Sequence, residues 1–222
     1  MANVLDREMY TEALAARLLG LHQSTLHYWL EGGTHRGKDY KPIIRQEPKG
    51  RRTVTWAEFV EAGWLSEYRN KNVPMPELRK FIDELRETFG VPYPLADRRP
   101  LVSGRRLVYD AQTTARLGID FYLVSVANDQ MILTAPGEAF AQRIEWDGNV
   151  PIAYRPDRDP RSSVRIVPDV RFGKPSVKGI STEAIWEQTE AGEDVETLAE
   201  IYQLDVADIR WALSYENAQQ AG

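Results

Sequence analysis

Cysteine is absent from the 222 residues, which excludes disulfides and thiolate metal centres. Histidine is scarce: His22, His27 and His35 are the full set. The first two stand five residues apart, about 140° around a helix, and so cannot share a metal. No HExxH, no histidine–cysteine set and no carboxylate pair in an apolar pocket can be read. No apolar run approaches the ~18 residues a membrane span needs, and no charged-then-apolar leader opens the chain. These absences predict a cytoplasmic protein without membrane segment, metal, cofactor or catalytic site. A phosphate loop is missing too. Gly173-Lys174-Pro175 lacks the GxxxxGKS/T spacing and its proline removes a donor, so it reads as a structural turn. Glu183, Glu187 and Glu190 recur at helical spacing as a solvated stripe.

What is present forms cores. A 42% hydrophobic content with six tryptophans supports one large domain or two to three small ones. The net charge of −5 argues at first against a nucleic-acid partner, but it is unevenly spread. Residues 1–100 carry 16 basic and 14 acidic side chains; residues 101–222 carry 12 and 19. Between Gly32 and Thr55 seven are basic (Arg36, Lys38, Lys41, Arg45, Lys49, Arg51, Arg52) and two acidic. Between Glu183 and Glu216 ten are acidic and Arg210 alone is basic. One basic edge can hold a polyanion without a basic overall balance; both stretches also read as solvated faces.

The stretch Tyr10–Gly33 predicts two short helices about a turn. Thr11 caps the first, whose inward face is Leu14, Ala15 and Leu18, and Gly20 supplies the turn. The second runs from Gln23 to Glu31. It buries Leu26, Trp29 and Leu30 and turns Gln23, Ser24, Thr25, His27 and Tyr28 outward. That is a helix-turn-helix pattern, whose second helix can enter a DNA major groove. The same pattern also serves helical domains that touch no nucleic acid. Ile43–Gln46 and Arg51–Thr55 read as strands about Glu47-Pro48-Lys49-Gly50, a basic wing lying beside phosphates. Thr55-Trp56-Ala57-Glu58 is a capping box opening a third helix. A fourth carries Leu78, Phe81, Ile82, Leu85 and Phe89 and closes at Gly90.

Residues 10–90 resemble the MerR-like winged-helix domain, through Gly20-Leu21-His22-Gln23-Ser24-Thr25-Leu26-His27-Tyr28-Trp29. The chain departs at His22, where a Ser or Asp cap is usual, and at His27, which replaces an arginine. The resemblance implies double-stranded DNA as partner. Its candidate contacts are Gln23, Ser24, Thr25, His27 and Tyr28 on the helix, with Arg36, Lys38, Lys49, Arg51 and Arg52 on the basic edge.

Beyond the Val91-Pro-Tyr-Pro94 linker the pattern changes to strands: Arg106–Tyr109, Tyr122–Val126, Met131–Leu133, Gln142–Trp146 and Val150–Tyr154. Asp147-Gly148 is the expected turn of the last hairpin. Three helical segments end the chain, about Thr182–Ala191, Val195–Tyr202 and Val206–Glu216. Asp194 and Asp205 are their expected caps. The inward set is Ile185, Trp186, Leu198, Ile201, Leu204, Ile209, Trp211 and Leu213.

This C-terminal part, through Phe172-Gly173-Lys174-Pro175-Ser176-Val177-Lys178-Gly179 and Ala191-Gly192-Glu193-Asp194-Val195-Glu196-Thr197-Leu198-Ala199, resembles a domain of unknown function that recurs in VapB-type antitoxins. Ile180-Ser181 replaces the usual Thr-Arg. The two resemblances together imply an antitoxin that binds its own operator and neutralises a PIN-like ribonuclease by direct binding. Such a nuclease holds its metal in a carboxylate cluster. Arg155, Arg158, Arg161 and Arg165 could block that cluster, or form a solvated loop.

The expectation is therefore an α+β chain in three parts: a winged helix-turn-helix over 1–92, a small β-rich region over 93–167 and a trihelical domain over 168–222. A homodimer on two half-sites is expected. The alternative is a ligand-sensing regulator without a toxin, its middle region the sensor.

Overall fold

The computed structural model describes residues 4–35, 37–70, 73–102, 104–127 and 130–220. The fold is mixed α+β, as expected, with its β-structure in two-stranded pieces. It groups into two compact units, residues 1–141 with 146–151 and residues 142–145 with 152–222. The three-part division read from the sequence follows a different partition.

The first unit opens with β1 (Glu8–Thr11), α1 (Glu12–Leu18) and α2 (Gln23–Glu31). Thr11 caps α1 by accepting the Leu14 N–H at 3.2 Å. Gly20 takes φ +63° in the turn, a conformation that costs other residues more. α1 buries Glu12, Ala15, Ala16 and Leu18, and leaves Leu14 half-buried; α2 buries the expected Leu26, Trp29 and Leu30.

A hairpin of β2 (Gly33–His35) and β3 (Lys38–Tyr40) follows α2 directly. The expected pairing of Ile43–Gln46 with Arg51–Thr55 does not form. Ile43 and Ile44 are both buried, which no alternating strand allows on a half-buried sheet, and their N–H groups donate to the Trp29 carbonyl at 2.9 and 3.0 Å. β4 (Thr53–Thr55) pairs instead with β1, setting Tyr10 opposite Val54.

α3 (Trp56–Asn70) starts at the predicted capping box. Glu58 N–H donates to Thr55 Oγ1 at 3.3 Å, and Thr55 N–H to Glu58 Oε2 at 3.0 Å. α4 (Met75–Phe89) buries Leu78, Phe81, Ile82 and Leu85 and ends at Gly90 with φ +63°. Between these helices and β1 lies an aromatic core. Phe59 sits 5.0 Å from Tyr10 and stacks on Trp56 at 5.5 Å, and Tyr68 meets Phe81 edge-on at 6.2 Å.

Next come α5 (Arg99–Val102), α6 (Arg105–Thr114), β5 (Val124–Ala127), β6 (Gln130–Leu133) and α7 (Ala135–Ala141). Arg106–Tyr109, expected as a strand, lies inside α6. The buried stripe there is Val108, Ala111, Gln112 and Ala115, a helical period hidden by a polar member. Gln112 is satisfied by the start of β5. Its amide donates to the Val124 carbonyl at 2.9 Å and accepts the Leu123 and Val124 N–H groups at 2.7 and 3.0 Å. β7 (Ile144–Asp147) and β8 (Val150–Tyr154) form a hairpin about Gly148-Asn149, one residue later than expected. Its tip, 146–151, belongs to the first unit and the remainder to the second.

In the second unit β9 (Ser176–Val177) and β10 (Ile180–Ser181) pair about Lys178-Gly179, at φ +47° and +88°. Both central residues left-handed make the tight hairpin turn that suits strand twist. α8 (Thr182–Glu190), α9 (Val195–Tyr202) and α10 (Val206–Gln220) enclose a core of Val164, Val177, Ile185, Leu198, Ile209, Ala212 and Tyr215. Asp194 caps α9, accepting the Thr197 N–H at 2.8 Å. The Asp205 side chain instead meets Lys178 Nζ at 3.2 Å. Ile201, expected inward, is 57% exposed, and Trp186, Trp211 and Leu213 are half-buried.

Candidate nucleic-acid interface

α2 presents the outward face that its spacing predicts. Gln23 and Ser24 are exposed, and Thr25, His27 and Tyr28 half-buried. His22 does the work of the missing Ser or Asp cap: its Nδ1 accepts the Ser24 N–H at 3.3 Å. His27, 44% exposed, holds the Glu12 carboxylate through Nδ1, at 3.0 Å from Oε1 and 3.1 Å from Oε2. Tyr28 packs edge-on against Tyr40 of β3, ring centroids 6.3 Å apart, and Lys38 Nζ lies 5.6 Å from the same ring. The β2–β3 hairpin is thus braced on the outward side of α2.

That hairpin escaped the sequence reading because it has no apolar alternation: Gly33-Thr34-His35 faces Lys38-Asp39-Tyr40. The only signals are the glycines. Gly32 closes α2 at φ +74°, and a Cβ on it would lie 2.3 Å from the Tyr40 carbonyl oxygen, so no other residue fits there.

Much of the basic edge is ion-paired within the fold. Arg45 is fully buried: its Nε meets Glu58 at 2.8 Å, its Nη1 Glu31, and its Nη2 the Thr53 carbonyl at 2.7 Å. Lys49, expected on the wing, reaches Glu58 at 2.9 Å and the Tyr93 hydroxyl at 3.1 Å. Burial acts to lower its ammonium, but Glu58 and Tyr93 raise it above its ordinary value. The backbone N–H groups of Lys49 and Gly50 donate to Glu31 at 2.9 and 2.8 Å, so the turn is pinned to the end of α2. Arg51 pairs with Glu8, and Lys41 stands 3.4 Å from Glu47. Lys38, Lys41, Lys49, Arg51 and Arg52 are all exposed; Arg36 lies outside the described residues. Lys49 and Arg51, expected beside phosphates, are thus exposed but each ion-paired within the fold.

Clefts of about 320 and 410 Å³ flank the 42–49 segment. Of the arginines lining them, Arg45 and Arg86 are held by carboxylates and carbonyls, and Arg79 donates through Nη1 to the Lys41 and Pro42 carbonyls while its buried Nη2 has no hydrogen-bond partner.

Of the four arginines expected to reach a nuclease, Arg155 is buried, its guanidinium pushed below its ordinary value by burial and by Arg165 and Arg143. Burial of Arg155 rules it out as a projecting residue. Arg165 binds Glu145 at 2.6 Å and the Ser162 carbonyl at 2.7 Å. Arg158 and Arg161 are exposed, Arg161 held by Asp159 at 2.7 Å. Among the described residues no group of three or more His, Asp or Glu could hold a metal, and no helix is long and apolar enough to cross a membrane.

A family of proteins of unknown function, DUF433, matches residues 164–215, nearly the whole second-unit core. The uncharacterized protein Rv2308 of Mycobacterium tuberculosis is 33% identical over 236 residues, covering 97% of this chain and 92% of that one. The crystal structure of Rv2018 from the same organism superposes with a TM-score of 0.76 at 23% identity, covering 95% of this chain and all of that one.

Proposed function

The chain belongs to the same family as the uncharacterized Mycobacterium tuberculosis protein Rv2308, a premise that names no activity, and we propose that it is a DNA-binding antitoxin. It binds its own operator through α2 and neutralises a PIN-like ribonuclease by direct contact. The observation that carries the DNA half is the outward face of α2 with a polar hairpin braced beside it through Tyr28 and Tyr40. A helix so flanked can enter a major groove while the hairpin meets the phosphates. Gln23, Ser24, Thr25, His27 and Tyr28 face the bases; Lys38 and Arg52 face the backbone. One such module covers little DNA, so a two-fold dimer on half-sites a helical turn or a multiple apart is expected.

The antitoxin half rests on the DUF433 match and on the resemblance of that segment to VapB-type antitoxins. Within the loop 155–165 the nuclease contact falls to Arg158 and Arg161, the two exposed arginines.

Fluorescence anisotropy on the upstream DNA of its own gene, across a salt series, tests the DNA half. Tighter binding than to a shuffled duplex, weakening steeply with salt, is expected. Equal, weak binding to every duplex would remove the operator. Co-expression with a nuclease encoded beside the gene tests the other half: RNA cleavage falls, and Arg158→Ala with Arg161→Ala restores part of it. Operator binding without neutralisation would leave a ligand-sensing regulator as the reading.

A further inference from the structure

We infer that Glu12 is a positioning residue for His27, and that His27 offers DNA a hydrogen-bond acceptor whose mate is an exocyclic amine of adenine or cytosine, not a phosphate. The inference rests on the DNA-binding reading above and deepens it.

Glu12 is 1% exposed, a burial that carboxylates rarely undergo without a partner. It opens α1, where the helix N-terminus favours a negative side chain, and its own N–H donates to the Arg52 carbonyl at 3.1 Å. The carboxylate is thus fixed at both backbone and side chain. Its two oxygens lie 3.0 and 3.1 Å from His27 Nδ1. A carboxylate only accepts, so the hydrogen of the neutral ring sits on Nδ1 and Nε2 is left a bare lone pair. Among the described residues Nε2 makes no hydrogen bond, and the ring is 44% exposed. It shares its helix face with Gln23, one turn earlier.

Phosphate oxygens also only accept, so a bare Nε2 has no mate on the backbone. In the major groove the donors are the N6 amine of adenine and the N4 amine of cytosine. The buried carboxylate therefore selects what the exposed ring can read.

Two measurements on the full chain test this. A long-range ¹⁵N–¹H spectrum of the imidazoles, with the His27 signals assigned by their loss in His27→Gln, should show one neutral tautomer with hydrogen on Nδ1. In Glu12→Gln, whose amide donates as well as accepts, that single tautomer should give way to a mixture. Hydrogen on Nε2, or on both nitrogens at the pH of the binding assay, overturns the inference from the wild-type spectrum. The second measurement uses the upstream duplex with each adenine replaced by purine and each cytosine by pyrimidin-2-one, which lack the amine. One replacement should weaken wild-type binding about 3–10-fold and leave His27→Ala unaffected. Equal losses in both proteins at every position overturn the amine contact while the operator reading stands. Failure of wild type to prefer the upstream duplex removes both, and the spectrum then still decides the tautomer.

Discussion

Glu58 and Glu61 stand one turn apart on α3, both buried, and their surroundings push them opposite ways. At Glu58 burial acts to raise the carboxyl, but Arg45, the Thr55 N–H and Lys49 outweigh it and hold the group at about 2, from 4.5. At Glu61 burial wins and pushes the carboxyl up to about 8, against Arg86 and the Leu95 N–H. The two therefore tilt stability in opposite directions. The Glu58 contribution is complete above 4.5 and is lost as pH falls toward about 2. Between 4.5 and about 8 the folded chain keeps the Glu61 proton that the unfolded chain has released, so stability declines as pH rises through that window. Denaturant midpoints from pH 3 to 9 should peak at about pH 5. Glu61→Gln should flatten the alkaline side; an unchanged slope there would mean that Glu61 is ionised in the folded chain. Glu58→Gln leaves Arg45 short of its partner and should cost about 3–5 kcal/mol at neutral pH, read from the same midpoints.

At the scale of elements, the junction of α2 with β2–β3 is set by one residue. A side chain at Gly32 would need φ +74° and would meet the Tyr40 carbonyl at 2.3 Å. Gly32→Ala should cost about 1–3 kcal/mol and weaken operator binding beyond what lost stability explains, since the hairpin must shift off Tyr28. A variant that melts early but binds normally when folded would detach the hairpin from the interface. The helices were legible wherever an apolar stripe ran unbroken, as in α2, α4 and α9. They were not where Gln112 interrupts the stripe of α6 and Leu107-Val108-Tyr109 imitates a strand. The capping box at Thr55 and the caps at Thr11 and Asp194 were legible because each acts within three residues. The pairing of β4 with β1 spans more than forty residues, and no local signal records it. In the same way the outward residues of α2 could be read from spacing, but the ion-pair partners of Arg45, Lys49 and His27 could not, because they lie 9 to 15 positions away.

For the whole molecule, counting basic residues overstates the field that a polyanion would meet. Arg45, Lys49 and Arg51 are compensated within the fold, so the logarithmic salt slope of binding should be shallow for so basic a stretch. Lys38→Ala with Arg52→Ala should flatten it by about two per protomer, whereas Lys49→Ala should leave the slope alone and lower the melting temperature. The reverse pattern would restore Lys49 to the phosphates. The tip of the β7–β8 hairpin has a consequence for biosynthesis. The first unit takes in residues 146–151, and the indole N–H of Trp56 donates to the Pro151 carbonyl. A ribosome that has delivered residue 141 has therefore not yet delivered the whole unit. The N-terminal unit is complete only when some ten further residues have followed, and the first residues of the second unit, 142–145, are among them.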